Sequence, residues 1–383
     1  MKAIVVGGGL GGCAAAVGLL AAGHDVTVYE AAGTMREEGE SISLFANGLA
    51  ALGALGVQEH FGHRISRLTF LLRKTGRPAT SVNMTAIERK TGYPYVLVPR
   101  CDVLEILAGR LGEQVIYGKR CVGVTSAPDG ATIHFADGTE ASSDLVVAAD
   151  GSRSILRQSL WPEDQSQRFS MAWQGTVALP DDYPSPEEVF IVVGPGTVAG
   201  AFPTTEDRAI FVVEDRAGLD LPTENVKETL LERYGRWPRP IVSLVEAIAP
   251  DAIRADEVFI SRPPRSWAKD RVFLLGDAAH SFSSSIGQGT NQAFEDAVAL
   301  AQAAGAGSDL DQAGRRYTRS RHRRATLYWQ YARLATQPAL SRVNELNQRL
   351  TPSSVTTMSW HRVTRPSRQV RKLVESGSTR GLS

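Results

Sequence analysis

Cysteine is scarce in this chain. Its three cysteines, Cys13, Cys101 and Cys121, are widely spaced and odd in number. That excludes a disulfide framework and supplies no metal-ligand spacing, so no metal is expected, and a reducing cytoplasm fits best. Net charge is scarce too. Forty-two Lys and Arg against 41 Asp and Glu leave a formal +1, which gives no general electrostatic case for nucleic acid or a membrane surface. Long apolar runs are missing, and none reaches the roughly 20 residues of a membrane span. The first 22 residues come nearest to a secretory signal, but GGGLGG at 7–12 breaks the continuous apolar segment such a signal requires. There is no internal repeat and no low-complexity tract.

What is present is an ordinary globular balance. The chain has 383 residues, 43% of them hydrophobic, enough for two domains or one large one. Residues 2–6 read as a short buried strand, 13–22 as a small-residue helix stopped by Gly23, and 25–29 (DVTVY) as a second strand. This is a parallel βαβ unit. A loop and helix follow to Gly56. A helix starts near Arg100 and leads into a strand, VIYGKRCV. Residues 121–149 alternate as strands around Asp129-Gly130 and Asp137-Gly138, and LVVAA at 145–149 is a buried strand. From about 165 to 262, strand-like runs separated by Pro, Gly and Asp predict an inserted antiparallel sheet. RVFLLG at 271–276 returns to a buried strand, a glycine turn opens a helix over 288–304, and 310–350 is helical. The last fifteen or so residues are polar and basic, a composition compatible with disorder.

The motif Gly7-x-Gly9-x-x-Gly12 stands between the first strand and helix, with Glu30 following at the ribose-binding distance. Gly7 permits the tight turn, Gly9 lets backbone approach a pyrophosphate, and Gly12 lets helix and strand pack closely. The helix N-terminus then offers N–H groups to phosphate. An acid at 30 accepts from ribose hydroxyls and repels a 2′-phosphate. A second constellation, Gly276-Asp277-Ala278-Ala279-His280 and then Gly287-Gln288-Gly289-Thr290-Asn291, follows the 271–276 strand. Asp277 is placed at a carboxyl end of the sheet, where α/β folds bind ligands. The two glycines allow backbone to pass close to a flat ring, and the helix beginning there aims its positive end at that ring. His280 reads as structural rather than as a base, because no partner acid is evident.

GGGLGG with Glu30, DLVVAADGSRSILR at 144–157, and RVFLLGDAAH…GQGTNQAFEDA at 271–297 together resemble the p-hydroxybenzoate hydroxylase family of single-component FAD monooxygenases. The resemblance covers nearly the whole chain and is nearest to small bacterial members similar to salicylate and urate hydroxylases. It implies an α/β fold: a Rossmann-type FAD-binding domain with an inserted, mainly antiparallel β-sheet substrate domain and C-terminal helices. The domains would be residues 1–165 with 262–310, then 166–261, then 311–383 as a helical region and tail, without the further C-terminal domain of phenol-hydroxylase types. Gly7, Gly9, Gly12, Glu30 and Ala31 would hold the ADP half of FAD. Ser43 would lie beside the flavin, Arg100 would reach the phosphates or ribityl chain, and backbone near Cys121 would touch adenine. Asp150, Gly151 and Arg157 match a motif associated with FAD and NAD(P)H, Asp277 would bind the ribose or ribityl region, and Gly287, Gln288, Gly289, Thr290 and Asn291 would line the ring. The implied reaction consumes NADPH or NADH and O2, forms a flavin C4a-hydroperoxide, and hydroxylates or epoxidises the substrate. No side-chain nucleophile is needed.

There are departures from the family pattern. Ser284 stands where the family usually has a proline whose carbonyl lies near substrate, and Glu37, Glu38 and Glu40 crowd the segment before Ser43. A carboxylate at 40 reads as part of a solvated charge run, with a base or cation contact as the sharper alternative. The expected pocket strand, residues 189–202 (VFIVVGPGTVAGAF), carries no charge, whereas a substrate carboxylate would call for Arg or Lys. The expectation is therefore an apolar aromatic, indolic, polyketide or terpenoid substrate, contacted by Val189, Ile191, Val193, Phe202 and Ser284. Trp173 and Gln174 are candidate lining residues, although a tryptophan such as Trp173 is more often plain core. Arg315, Arg316, Arg319, Arg321, Arg323 and Arg324 spread around a helix and read as a solvated face with acidic partners rather than a nucleic-acid site. The competing readings are a reductase or dehydrogenase on the same fold and a flavin-binding protein without turnover; the Trp-x-Trp-x-Ile-Pro signature of flavin halogenases is absent. The assembly reads equally as monomer or homodimer.

Overall fold

The strand Lys2–Val6 is apolar apart from Lys2, and it takes the centre of a six-stranded sheet. The order is Ala268–Lys269, Val272–Leu274, Leu145–Ala148, Lys2–Val6, Asp25–Tyr29, Val115–Ile116, and only the first of these runs antiparallel to its neighbour. Burial on both faces explains why its central strands read as unbroken apolar runs. The helices Leu10–Ala21 and Gly289–Ala303 contribute small buried residues, Ala14, Ala15, Ala297 and Ala301, to the adjoining core. In this computed structural model the described residues are 1–35, 41–59, 62–221, 224–305, 307–335 and 337–376. Glu37, Glu38 and Glu40 lie outside them.

A seven-stranded sheet forms the second layer: Arg254–Ile260, Gln167–Ala178, Arg208–Asp215, Thr197–Pro203, Glu188–Val193, Arg67–Leu71, Pro78–Asn83. Its last two strands come from outside 166–261, the span to which the sequence confined the sheet. Glu188–Val193 and Arg67–Leu71 pair in parallel, Val189 opposite Leu68. Residues 189–202 are not one strand but a hairpin, turned at Gly194 and Gly196. Strand alternation divides the sheet's side chains. Trp173, Phe211 and Val213 pack against Leu230 and Leu244 from the helices Val226–Tyr234 and Arg239–Ala247. Gln174, Ile210 and Val212 face the other way, into a cavity.

A small sheet of Ser41–Leu44, Tyr95–Pro99 and His63–Ile65 closes a further side of that cavity, and the hairpins at Asp129 and Asp137 build an outer three-stranded sheet. The helix Leu310–Ala335 lies along the first layer, where the Tyr317 hydroxyl donates to the Leu274 carbonyl at 3.0 Å. Ser353–Thr364 is a helix of the C-terminal region, and the described part of the polar, basic tail forms another, Arg368–Ser376. The first docks on Pro78–Asn83 through Thr356 and Thr357 and brings Trp360 to the cavity wall. Among the described residues, no helix is long and apolar enough to cross a membrane.

Candidate active site

The glycine turn is dictated by backbone crowding. Gly7 has φ +107°, and a Cβ there would stand 2.4 Å from the Ala149 carbonyl oxygen; one on Gly12 would stand 1.9 Å from the Gly7 oxygen. Real side chains cannot enter either space. The N-terminus of Leu10–Ala21 is thereby drawn against the sheet, and Gly9 opens on the cavity with the Arg100 guanidinium 3.6 Å from its would-be Cβ. Glu30 follows the strand Asp25–Tyr29 with both oxygens engaged, accepting from the Gly8 N–H at 2.7 Å and the Ala32 N–H at 2.8 Å. Lone pairs remain for hydroxyl donors, and half-buried Ala31 lies between Glu30 and Ala32. Asp150 accepts from the Ile155 N–H at 2.8 Å through Oδ2, while its Oδ1 is buried without a partner among the described residues. Burial pushes this carboxyl up. Cys121 is buried at the head of its strand. Arg157 faces away from the cavity: it is buried, and it donates to the carbonyls of Asp164, Ala278, Ala279 and Arg262 and to the Ser261 hydroxyl.

The second glycine segment meets the first across the cavity. Asp277 lines the wall beyond Gly276. Surrounding protein desolvates it and pushes its carboxyl up, against the pull of His280 and Arg100. Gly287 has φ +60°, and its Cβ position is 3.3 Å from the Phe45 ring. Gly289 and Thr290 present the positive end of their helix to the cavity. Gln288 and Asn291 turn inward instead. Gln288 accepts from the Asn47 amide at 3.1 Å. Asn291 accepts from the Phe45 N–H at 2.9 Å and donates to the carbonyls of Ser43 at 2.8 Å and Gly287 at 2.9 Å. It thus clamps the Ser43 strand to the glycine turn. Asn291→Ala should cost about 2–3 kcal/mol by stranding those backbone groups, read as a lower urea midpoint together with weaker FAD retention; an unchanged midpoint would remove the clamp from the account.

His280 does have a partner acid, one not evident from the sequence. Its Nε2 lies 2.6 Å from Asp296 Oδ2, and both side chains are fully buried. The same oxygen accepts from the Gly276 N–H at 3.1 Å. Arg321 completes the group, donating to Asp296 at 2.6 Å, to Glu295 at 2.9 Å and to Gln292. One of the six helix arginines is therefore wholly internal, and His280 is buried against Asp296.

The whole cavity is about 510 Å³, and beyond the glycine segments its lining is mixed, with Gln174, Arg254, Asp256, Glu257 and Ser284 on a polar side and an aromatic and aliphatic side facing them. Phe45, Leu68, Tyr95, Ile191, Phe202 and Trp360 line it, with Phe45 stacked on Tyr95 at 4.4 Å between centroids. Of the residues expected there, Ile191, Phe202, Gln174 and Ser284 open on it. Trp173 does not, since it points to the opposite face of the sheet. Val189 is buried among Leu68 and Val82, and Val193 packs at the margin of that cluster. Several contributors escaped the sequence reading, Phe45 and Leu68 among them. Tyr95 lies on a strand not foreseen, Trp360 arrives from the distant C-terminal helix, and Glu214 sits behind Ser284, accepting its hydroxyl at 2.6 Å. The available signal for Glu214 was its parity with Ile210 and Val212 on a strand whose middle is apolar.

The donor set fits FAD. A backbone cradle closed to any Cβ and a cation line the recess, a carboxylate follows at the ribose distance, and Asp150 holds an orphaned buried oxygen. The comparisons agree. A family described as an FAD-binding domain matches residues 1–332. The chain is 32% identical over 329 residues to an FAD-dependent urate hydroxylase of Klebsiella pneumoniae subsp. pneumoniae, covering 84% of this chain and 86% of that one. It is 31% identical over 337 residues to the aurachin C monooxygenase/isomerase of Stigmatella aurantiaca, covering 85% and 86%. Among solved structures, Klebsiella pneumoniae HpxO complexed with FAD and uric acid matches with a TM-score of 0.86 at 29% identity, over 95% of this chain and 96% of that one. The chain therefore belongs to the FAD-binding-domain family, as an FAD-dependent monooxygenase related to the urate hydroxylases and of the p-hydroxybenzoate hydroxylase type.

Proposed function

We propose that this enzyme consumes NADPH or NADH and O2 to insert one oxygen atom into a largely apolar aromatic substrate. The observation that carries this reading is the apolar compartment of Phe45, Leu68, Tyr95, Ile191, Phe202 and Trp360, continuous with the glycine-floored recess. In this reading Gly7, Gly9, Gly12, Glu30, Ala31, Arg100 and Cys121 hold the ADP side of FAD, Asp150 and Asp277 the middle, and Ser43 with residues 287–291 the ring. FAD, once reduced by the nicotinamide nucleotide, supplies the activation of oxygen. The protein's part is to orient the substrate and exclude water, which otherwise diverts reduced flavin and oxygen to hydrogen peroxide. Aromatic and aliphatic walls serve both ends. The helix N-terminus at Gly289 offers fixed positive charge to a reduced, anionic ring.

The test is NADPH and NADH oxidation under air by the FAD-loaded protein, with a panel of neutral aromatics and small anionic benzoates. We expect one or more neutral aromatics to accelerate oxidation and to gain the mass of one oxygen atom. A strong preference for the benzoates, or flavin reduction with no oxygen in the product, would overturn the reading. The second outcome would favour a dehydrogenase.

A further inference from the structure

Ser284 stands where the family usually has proline, and its side chain opens on the cavity. Its hydroxyl donates its one proton to Glu214 Oε2 at 2.6 Å. Glu214 shares the sheet face of Ile210 and Val212, which line the cavity, yet it is only 2% exposed. Its other oxygen accepts from the Ser170 hydroxyl at 2.7 Å. A buried carboxylate held on both oxygens cannot swing away without leaving one of them unsatisfied, so the direction of the Ser284 O–H is set from behind. A hydroxyl has one proton to give and two lone pairs to accept with. With the proton committed to Glu214, Ser284 shows the cavity an acceptor only. Apolar Ile210, Val212 and Phe282 line the same cavity, as do Ser283 and Ser285 that flank it, and a ligand group with a proton to donate finds an acceptor in Ser284.

We propose that Ser284, held by Glu214, is the specificity-determining acceptor of this pocket, and that the substrate is an aromatic compound bearing a ring O–H or N–H placed against it. The proposal rests on the aromatic-substrate reading above. A ring donor bonded to a carboxylate-backed acceptor also pushes electron density into the ring, which suits attack on an electrophilic oxygen. Glu214 acts only through Ser284 and is a positioning residue.

The experiment titrates the FAD-loaded full chain with matched pairs, 2-naphthol against 2-methoxynaphthalene and indole against 1-methylindole, followed by flavin absorbance. The wild type is expected to bind the proton-bearing member about tenfold more tightly, the yield of one hydrogen bond. Ser284→Ala should bring the pair within about twofold, and Ser284→Thr, which keeps the hydroxyl, should restore the ratio. Glu214→Gln offers one oxygen where two hydroxyls, Ser170 and Ser284, now donate, so the Ser284 proton is no longer held and the ratio should narrow. FAD content and melting temperature, unchanged in Ser284→Ala, separate lost specificity from misfolding. Equal binding of both members by the wild type, or an unchanged ratio in Ser284→Ala, overturns the proposal and leaves the aromatic reading standing. Failure of every aromatic probe to bind overturns that reading, and the proposal with it.

Discussion

Gly12→Ala should yield a protein that purifies without FAD. The new Cβ would stand 1.9 Å from the Gly7 carbonyl oxygen. The obstacle is backbone, so no side chain can yield. Gly7 is itself pinned, its N–H donating to the Tyr29 carbonyl at 2.8 Å. The helix Leu10–Ala21 must therefore retreat from the sheet, carrying its N-terminal N–H groups away from the phosphates they would meet. We expect FAD affinity to fall by about a hundredfold or more, the equivalent of losing several phosphate hydrogen bonds at once, with the far-ultraviolet circular dichroism largely kept. Gly109→Ala is the control. It lies within the helix Arg100–Leu111, where an added Cβ meets nothing within 4 Å, and it should bind FAD fully while gaining about 0.5–1 kcal/mol from helix propensity. A flavin spectrum of ordinary intensity from Gly12→Ala would show that the turn is not a phosphate cradle.

Arg321→Met should be the most destabilising substitution in the cofactor layer. Arg321 satisfies Glu295 and Asp296 at once, all three fully buried. Removing one partner of a buried pair costs about 3–5 kcal/mol, a large share of the about 5–15 kcal/mol that keeps a protein folded. Arg321→Lys recovers only part, because an ammonium cannot reproduce the fork that serves Asp296, Glu295 and Gln292 together. The effect has a pH signature. Burial alone would raise the Asp296 carboxyl, but His280 and Arg321 outweigh it and hold it below the ordinary value. Its contribution is thus complete above the unfolded carboxylate pKa, about 4, and is lost as pH falls through the depressed folded value. Without Arg321 the same carboxyl moves up, so mild acid relieves the variant before it harms the wild type. Urea midpoints at pH 7.5 and pH 5 should show the gap between the two proteins narrowing in acid. A gap below about 1 kcal/mol, a value typical of exposed pairs, would contradict the burial argument.

The legible parts of this molecule are its local ones. Strand, glycine turn, helix and acid lie within residues 2–30, and each is set by neighbours in sequence, so period and punctuation suffice to find them. The strand ahead of Asp277 and the helix after Gly289 were readable for the same reason. Placement across distance was not. Ser41–Leu44, His63–Ile65 and Tyr95–Pro99 are short strands whose pairing depends on partners far along the chain, and no hairpin turn announces them. Trp173 and Gln174 are adjacent candidates for the lining, and the reading of Trp173 as core is the one that holds: the register of their strand turns it to the helices and Gln174 to the cavity. Residues 189–202 read as one run because Val and Ala flank the turn, although the Gly194-Pro195-Gly196 signal lay within it. Asp296 was missed as the partner of His280 because a bend between the two segments brings them together.

The parallel pairing of Arg67–Leu71 with Glu188–Val193 has a consequence for anyone exchanging parts between related enzymes. Residues 166–261 resemble a transferable cassette, bounded by two runs of the nucleotide fold. Cut there, the insert would lose two strands of its own sheet, and the recipient would keep an orphan hairpin with an unpaired edge. The same splice keeps Leu68, which lines the cavity, with the recipient. Substrate scope is therefore inherited from two stretches of chain at once, and a chimera that moves one must carry Arg67–Asn83 along with it.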